Sequence, residues 1–203
     1  MTYKMKILPL LLLLLLSGCF STPAIKVNNI CQLMDEEVSW YKAVRASEKK
    51  YKVPAHVQLA IIYQESRFAS DAKPPREKLF GVIPWFRPTT AYGFAQATDP
   101  TWNLYKLKTG NSDADRDDFE DATDFVGWYI NRSQKRSGIA KNDAYNQYLA
   151  YHEGHGGFNR KNHHQKPWLL KVAKKVEENA KRYQQQLKQC RSQLDKNSTW
   201  SFF

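Results

Sequence analysis

The sequence predicts a mainly α-helical domain with long terminal helices, and three observations support this fold class. Apolar residues recur at intervals of three and four through most of the chain. Segments with the alternating pattern of a β-strand are few. The chain of 203 residues is long enough for one domain with a sizeable core. We therefore expect one helical domain at residues 30–195, followed by a short tail at residues 196–203.

Two amphipathic stripes predict the terminal helices, and each of them contains a cysteine. The first consists of Cys31, Met34, Val38 and Tyr41, and the second runs from Leu169 to Leu194 through Cys190. A disulfide between Cys31 and Cys190 would tie the two helices together, and the cysteines of an exported chain favour such a bridge. The alternative is a pair of buried free thiols.

Residues 1–18 have the layout of a secretory signal. Lys4 and Lys6 precede an unbroken apolar run, which ends in small residues. The run is followed by Cys19, and the segment LSGC (16–19) resembles the lipobox of bacterial lipoproteins, in which the cysteine is lipidated and becomes the new N-terminus. We therefore expect a lipid anchor at Cys19.

The predicted lipidation has consequences for location. Residues 19–29 would form a tether between the membrane and the domain. Phe20, rather than an aspartate, follows the cysteine. In lipoproteins of two-membrane bacteria this resemblance indicates the outer membrane, so we expect the protein in the cell envelope, facing the periplasm.

The charge of the chain bears on its partner. The formal net charge is +11, and removal of Lys4 and Lys6 with the signal lowers it to +9. A basic exported domain suits an anionic polymer, and nucleic acid, acidic lipid headgroups and cell-wall glycan are all candidates. Charge alone does not choose among them.

The segment HVQLAIIYQESRF (56–68) places a carboxylate at the end of a helix that is apolar around most of its circumference. Pro54 suits the start of this helix. Glu65 follows the apolar residues by three and four positions, so burial and the helix dipole should make it hold its proton more tightly than a free glutamate. The alternative is a helix that frays after Gln64 and leaves Glu65 in solvent.

Three short blocks occur in the order and rough spacing of one family. They are ESRF (65–68), YGFAQ (92–96) and AYHEG (150–154). Together they resemble the lysozyme-like lytic transglycosylases with an SLT-type domain, and the resemblance covers about residues 50–160. It implies a lysozyme-like helical fold, of the SLT or goose type. It also implies an enzyme that acts on peptidoglycan glycan strands, without a cofactor and without nucleic acid as a partner.

The resemblance assigns roles by position. Glu65 would be the single catalytic acid and base, cleaving the MurNAc–GlcNAc β-1,4 bond to give 1,6-anhydroMurNAc ends. Tyr151 would orient or hydrogen-bond the Glu65 carboxyl. The residues implied to bind the substrate or line its cleft are Ser66, Tyr92, Gly93, Gln96, Tyr151 and His152.

The chain departs from the family pattern in two blocks. Phe94 and Ala95 replace a Leu-Met pair, which we interpret as a modest change of the cleft lining. His152 replaces an asparagine, which puts that substrate contact in doubt. His152 could still donate a hydrogen bond to a sugar N-acetyl group, or it could be a partly buried histidine bound by backbone.

Two alternatives keep the fold and change the function. Goose-type lysozymes share much of the pattern and hydrolyse the same bond with water. A second carboxylate would then be needed, and Asp71, Asp99 and Glu153 are the candidates by sequence. A non-catalytic lipoprotein that binds glycan and anchors the wall is the other alternative.

We expect no metal. The segment HEGH (152–155), with His163 and His164, suggests a zinc peptidase, but its histidines are three residues apart and the helical zinc motif needs four. The acidic residues from Asp113 onward loosely mimic a calcium loop, but Asp118 stands where such a loop needs glycine.

The segment 73–93, KPPREKLFGVIPWFRPTTAYG, separates the first two blocks and is too rich in proline to continue a helix. Its apolar residues, Trp85 and Phe86 among them, could form a lip over the glycan cleft, touch the membrane, or fold back on the core. We take the third arrangement as the expectation.

Overall fold

Seven α-helices account for most of the computed structural model, which describes residues 27–79 and 81–200. They are α1 (Ile30–Glu36), α2 (Val38–Tyr51), α3 (Ala55–Ser66), α4 (Asp99–Thr109), α5 (Phe119–Ser137), α6 (Ala144–Asn159) and α7 (Pro167–Trp200). A 3-10 helix, Asn162–Gln165, precedes α7. The predicted mainly α-helical fold class is confirmed. The predicted signal and Cys19 lie outside the described residues.

One small β-hairpin interrupts the helices between α3 and α4. Strand β1 (Lys78–Leu79) pairs antiparallel with β2 (Ile83–Pro84). Gly81 lies in the turn with a φ of +76°, a left-handed conformation that glycine adopts without strain.

Helix α3 is the central element of the fold. Its residues from Val57 to Ile62 are all buried, so it has no wet face, as expected for a helix that is apolar all round. It packs against α2, α5, α6 and α7. The one polar side chain in this stretch, Gln58, donates from Nε2 to the carbonyl of Val53 at 2.9 Å. Each buried aliphatic side chain contributes about 1.5–3 kcal/mol to folding.

An aromatic cluster joins α2, α5 and the two loops that flank the hairpin. Trp40 stacks on Phe119 with ring centroids 4.2 Å apart, and it also meets Phe68 and Phe94. Phe68 follows α3 and Phe94 lies in the second sequence block. The cluster therefore fixes these two blocks relative to the same pair of helices.

The long helix α7 spans 34 residues, or about 51 Å. It packs along α1, α2, α3 and α6. Its C-terminal part continues to Trp200, beyond the predicted domain boundary at residue 195, and Asn197 donates to Asp35 at 2.7 Å. No helix in the described part of the chain is both long and apolar enough to cross a membrane.

The predicted disulfide is confirmed. Cys31 of α1 is bonded to Cys190 of α7, with their Cα atoms 6.0 Å apart. Gln186, one turn before Cys190, reinforces the contact by accepting from the backbone N–H of Ile30 at 3.0 Å and donating to the carbonyl of Asn28 at 3.3 Å. The bridge closes a loop of 159 residues in sequence, nearly the whole domain.

Removing the bridge should lower stability without changing the fold. The double variant Cys31→Ser/Cys190→Ser should lose roughly 2–5 kcal/mol of unfolding free energy, because the unfolded chain regains the entropy of a long open loop. Its melting temperature, followed by circular dichroism, should fall by roughly 5–20 °C. The reduced wild type should melt with the double variant. Equal melting of the oxidised and reduced wild type would show that the bridge does not stabilise the protein.

Candidate active site

Helix α3 ends in an unusual turn that fixes the position of Glu65. Arg67 caps the helix in a left-handed conformation, with φ +55° and its N–H donating to the carbonyl of Tyr63 at 3.0 Å. Phe68 is left-handed as well, with φ +61°. Such backbone costs of order 1–2 kcal/mol per residue outside glycine, and burial of the Phe68 ring, only 1% exposed, offsets it. Glu65 is therefore held at the C-terminal end of a rigid, buried helix.

The Glu65 carboxyl is largely withdrawn from water. The residue keeps some surface exposure, but Oε1 is enclosed and has no hydrogen-bond partner among the described residues. Burial raises its pKa from 4.5 to about 7, although a hydrogen bond from Tyr148 acts to lower it. The carboxyl thus holds its proton more tightly than a free glutamate, as the sequence predicted. The helix continues through Glu65 and does not fray after Gln64.

Two tyrosines of α6 face this carboxyl, and they differ in what they bind. Tyr148 makes the hydrogen bond to Glu65. The Tyr151 hydroxyl instead donates to the carbonyl of Ala95 at 2.5 Å. Of the two expected roles of Tyr151, orienting or hydrogen-bonding Glu65, donation to the carboxyl is not observed, because the single hydroxyl proton goes to Ala95; Tyr148 donates to Glu65 instead. Burial raises the pKa of Tyr151, and the negative charge of the nearby Glu65 raises it further.

The backbone of Arg116 lies so close to Gly93 that no side chain fits there. Gly93 has φ +75°, and a Cβ placed there would lie 2.0 Å from the carbonyl oxygen of Arg116. Its N–H donates to the carbonyl of Ala72 at 2.9 Å. This glycine therefore allows the second block to pack between the chain after α3 and the loop before α5.

Gln96 and Tyr92 close the same turn. Gln96 donates from Nε2 to the carbonyls of Ala72 and Gly93, at 2.8 and 3.0 Å. The Tyr92 hydroxyl donates to Asp117 at 2.9 Å. Both side chains therefore stabilise the turn. The side-chain oxygen of Gln96 is the part of its amide that can still bind a ligand.

Phe94 and Ala95 do not line the cleft, contrary to the interpretation from sequence. Phe94 is buried in the aromatic cluster, edge-on to Trp40 and Phe119. Ala95 is fully buried, and it contributes only its carbonyl, which Tyr151 binds. The departure from the family pattern at these positions is therefore a change in the core.

Ser66 and His152 have local partners. Ser66 is buried, and its hydroxyl donates to the carbonyl of Ile62 at 3.3 Å, one turn earlier in α3. The Nδ1 atom of His152 lies 3.2 Å from a carboxylate oxygen of Glu153, so it carries the hydrogen. In the neutral ring, Nε2 is then an acceptor. Trp168 packs edge-on against the same ring at 5.1 Å.

All three candidate second carboxylates interact with neighbouring groups. Glu153 is almost fully buried and accepts from Lys166 at 2.7 Å. Burial acts to raise the pKa of Glu153, but hydrogen bonds from Lys166 and His152 lower it overall. Asp99 pairs with Arg116 at 2.8 Å. Asp71 lies near Tyr92. Burial is the main cause of the raised pKa of Tyr92, and the negative charges of Asp117 and Asp71 add to it.

The histidines after the third block are separately engaged. His155 accepts or donates at Ser133, 3.0 Å away, and stacks on Tyr129. Burial lowers the pKa of His155 to about 4. His163 is buried and stacks on Phe158. Within residues 27–79 and 81–200, no three His, Cys, Asp or Glu side chains form a group suited to a metal ion.

Sequence reasoning missed two residues of this site. Tyr148 lies three positions before Tyr151, so helical spacing could have placed both near Glu65. No motif or periodicity in the sequence indicates a role for Arg116. Its guanidinium donates to the carbonyls of Thr90 and Ala97, both at 2.9 Å, and so holds the turn around Gly93 in place.

Comparisons with known proteins agree with this arrangement. Residues 7–190 match the family model described as the transglycosylase SLT domain, which covers most of the chain. No match was found among curated proteins. The matched range contains all three sequence blocks that meet around Glu65.

The raised pKa of Glu65 makes stability depend on pH in a defined direction. The folded state takes up a proton that the unfolded state lacks between pH 4.5 and about 7. This contribution is therefore fully present below pH 4.5 and is lost as pH rises through 7. Glu65→Gln removes the ionisable group, so it should stabilise the protein at pH 8 by of order 1–3 kcal/mol and have little effect at pH 4.5.

Thermal melts of the variant and the wild type across this range measure the difference. Glu178→Gln, on the exposed side of α7, is the matched control and should not show the same pH dependence. A Glu65→Gln effect that is equal at both ends of the range would contradict the raised pKa.

Proposed function

The chain belongs to the transglycosylase SLT domain family, and it is accordingly a peptidoglycan lytic transglycosylase, a lyase. From this premise we propose that it cleaves the MurNAc–GlcNAc β-1,4 bond without water, with Glu65 as the only acid and base. The observation that carries the proposal is the enclosed carboxyl, whose pKa is raised to about 7 and whose Oε1 has no partner in the described structure. A carboxyl that is still protonated near neutral pH is suited to general acid catalysis.

The first step is proton donation. Protonated Glu65 gives its proton to the glycosidic oxygen, the bond to C1 of the muramic sugar breaks, and an oxocarbenium-like centre develops at C1. The substrate's own N-acetyl group can assist at this centre. Tyr148 favours the carboxylate that forms, because its hydrogen bond to Glu65 lowers the pKa of the carboxyl.

The second step returns the proton. The Glu65 carboxylate takes the proton of the C6 hydroxyl of the same muramic sugar, and the C6 oxygen bonds to C1. The product is a 1,6-anhydro ring, and Glu65 regains its proton for the next cycle. An oriented nucleophile within the same molecule has a high effective concentration, which allows it to outcompete water.

Residues around Glu65 would bind the glycan in different ways. We assign the Oε1 of Gln96 and the Nε2 of His152 to polar groups of the sugars, since their other polar atoms are engaged within the protein. Nε2 is an acceptor in the neutral ring and would take the N-acetyl N–H rather than the carbonyl. Tyr92 and Gly93 would form the rim of the groove. Ser66 and Tyr151 would act through packing and the backbone.

Hydrolysis is the second candidate, and Asp71 is the residue that favours it. This carboxylate lies near Tyr92 at the rim, where it could activate a water molecule. Glu153, which pairs with Lys166, and Asp99, which pairs with Arg116, are the other two candidates for that role. The third candidate is a glycan-binding protein without activity, and this function would not require a carboxyl with a raised pKa.

The products of digestion distinguish these functions. Purified peptidoglycan treated with the protein should yield 1,6-anhydromuropeptides, each lighter than the hydrolysed muropeptide by the elements of one water. Mass spectrometry measures this difference. Glu65→Gln should lower the rate by roughly 100-fold or more while the fold persists, because it removes the transferable proton.

Each other outcome points to one alternative. Products with reducing ends would refute the transglycosylase chemistry, and loss of those products in Asp71→Asn would identify a hydrolase. Near-normal activity of Glu65→Gln would remove Glu65 from the mechanism. No products from the wild type would leave the glycan-binding function. A chelator should change nothing, in contrast to a zinc peptidase.

We also propose that Cys19 carries a lipid and that the residues between it and Val27 tether the domain to the outer membrane, facing the periplasm. This tether is shorter than the expected 19–29, because Val27 is buried in the core and Asn28 is bound by Gln186. The support is the segment LSGC (16–19) and an envelope-acting family. With its net positive charge, the domain suits peptidoglycan, whose peptide stems carry carboxylates, and the proposal assigns no nucleic acid to it.

Metabolic labelling with a fatty acid tests the anchor. The wild type should incorporate the label and sediment with outer membranes, whereas Cys19→Ala should incorporate none, because it lacks the thiol that accepts the lipid. Ser21→Ala, in the same segment, is the control and should behave as the wild type. Labelling of the Cys19→Ala protein would refute lipidation at this residue.

A further inference from the structure

The β1–β2 hairpin lies between α3 and the second sequence block, and its base is well defined. Between Glu77 and Phe86 the backbone is paired, with the N–H of Glu77 donating to the carbonyl of Phe86 at 2.8 Å and the N–H of Trp85 donating to the carbonyl of Glu77 at 2.7 Å. Two arginine side chains tie the base together. Arg76 donates to the carbonyl of Trp85 at 3.0 Å, and Arg87 donates to the carbonyl of Pro74. We refer to residues 77–86 as the groove hairpin.

Large apolar side chains of the groove hairpin are exposed. Val82 is 71%, Trp85 57% and Phe86 52% exposed. Neither of the two aromatic rings belongs to the hydrophobic core cluster of the described chain. The expectation that this segment folds back on the core is therefore wrong for these three side chains. Trp85 and Phe86 directly follow β2, and both leave more than half of their surface open to solvent.

Charge and apolarity are separated along the hairpin. The sequence from residue 79 to residue 86, LFGVIPWF, contains no charged residue. The flanking positions contain four basic residues, Lys73, Arg76, Lys78 and Arg87, against one acidic residue, Glu77. Residues 79–86, which we call the tip, thus form an apolar stretch with basic residues on both sides in sequence, and Trp85 and Phe86 lie at its basic end, beside Glu77.

We propose that the groove hairpin inserts its tip into the interface of an anionic lipid bilayer. Trp85 and Phe86 lie at the boundary of headgroups and acyl chains, where amphipathic and apolar rings are favoured. The basic residues at the base contact the lipid phosphates, and each contributes about 1 kcal/mol near an anionic surface. The depth of insertion is limited to the interface by the charges at the base.

The distribution of polar groups favours lipid over glycan as the occupant. A sugar-binding surface combines an aromatic ring with polar groups that fix the hydroxyls. The tip sequence supplies no charged side chain and no Ser, Thr, Asn or Gln. An acyl-chain boundary needs none of these groups. The tip would therefore lose little on leaving water for lipid, and it would gain little specific contact from a glycan strand.

The proposal also has a consequence for the active site. The hairpin base begins shortly after Ala72, whose carbonyl binds both Gly93 and Gln96. Insertion of the tip would orient the groove relative to the membrane surface through this short connection. The inference stands on the hairpin alone and depends neither on the lipid at Cys19 nor on the chemistry at Glu65.

A single fluorescent label at the tip tests insertion in the full-length protein. In a Cys19→Ala background, Val82→Cys supplies the single reactive thiol, since Cys31 and Cys190 are bonded to each other. The labelled protein is bound to phosphatidylethanolamine vesicles with and without phosphatidylglycerol, and nitroxide-bearing lipids serve as the quencher. Leu107→Cys, at a 77% exposed position on α4, is the matched control.

The label at residue 82 should be quenched and shifted to the blue on vesicles that contain phosphatidylglycerol, whereas the label at residue 107 should not. Lys78→Glu should lower the ratio of inserted to free hairpin by roughly twentyfold, because each unit of charge near an anionic surface is worth about a factor of five. Lys108→Glu, on α4, should have no such effect. The double variant Trp85→Ser/Phe86→Ser should abolish quenching and keep the activity on soluble peptidoglycan fragments.

Three results would overturn the proposal. One is equal quenching at residues 82 and 107. Another is a blue shift at residue 82 that requires peptidoglycan fragments rather than anionic lipid, which would make the hairpin part of the glycan groove. The third is a shift that depends only on protein concentration, which would indicate self-association. Loss of catalysis in Glu65→Gln leaves this readout unchanged, so failure of insertion and failure of the proposed chemistry are distinguished.

Discussion

The enclosure of one ionisable carboxyl at the end of an apolar helix is the constraint on which the rest of the structure depends. Water would favour the charged form of Glu65, and the surrounding side chains exclude most of it. An exposed helix would leave the carboxyl with the pKa of an ordinary glutamate. The burial of α3 on every side is therefore a condition for the raised pKa of Glu65 as well as for stability.

The surroundings of this carboxyl are maintained largely by backbone groups. Tyr151 is held by the carbonyl of Ala95, and the N–H of Gly93 is held by the carbonyl of Ala72. Arg116 binds two further carbonyls of the same turn. Because these partners are main-chain atoms, their positions depend on the path of the chain more than on side-chain identity. A change in the backbone of the turn at Ala95 would therefore shift Tyr151 of α6, and so the surroundings of Glu65, even if no side chain near Glu65 were substituted.

The sequence predicted the features that depend on local periodicity. The second apolar stripe located α7, and the two stripes together located the cysteine pair. The first stripe is not one long terminal helix, because the chain breaks at Glu37 between α1 and α2. The apolar circumference of α3 predicted the tightly held proton of Glu65. Contacts between segments that are distant in sequence were harder to predict. Phe94 was interpreted as cleft lining because its family position suggested so, whereas its burial against Trp40 and Phe119 depends on how three segments meet.

The same limit explains why Arg116 was missed. Arg116 acts through carbonyls that lie 19 and 26 positions earlier, and no spacing rule connects them. The groove hairpin shows the converse case. Its apolar composition was read as a reason for burial, but a two-stranded ribbon with side chains on both faces cannot bury both unless another element covers it.

The bridge between Cys31 and Cys190 has a mechanical meaning for a protein that works on a load-bearing polymer. Any pull on the chain upstream of Val27 enters the domain only four residues before Cys31. The covalent bond then passes the force directly into α7, and α1 is not peeled from its neighbours. Because α7 runs along α3, the force is spread over the longest helix before it reaches the segment that holds Glu65. Tension that enters at Val27 is thereby shared between α1 and α7.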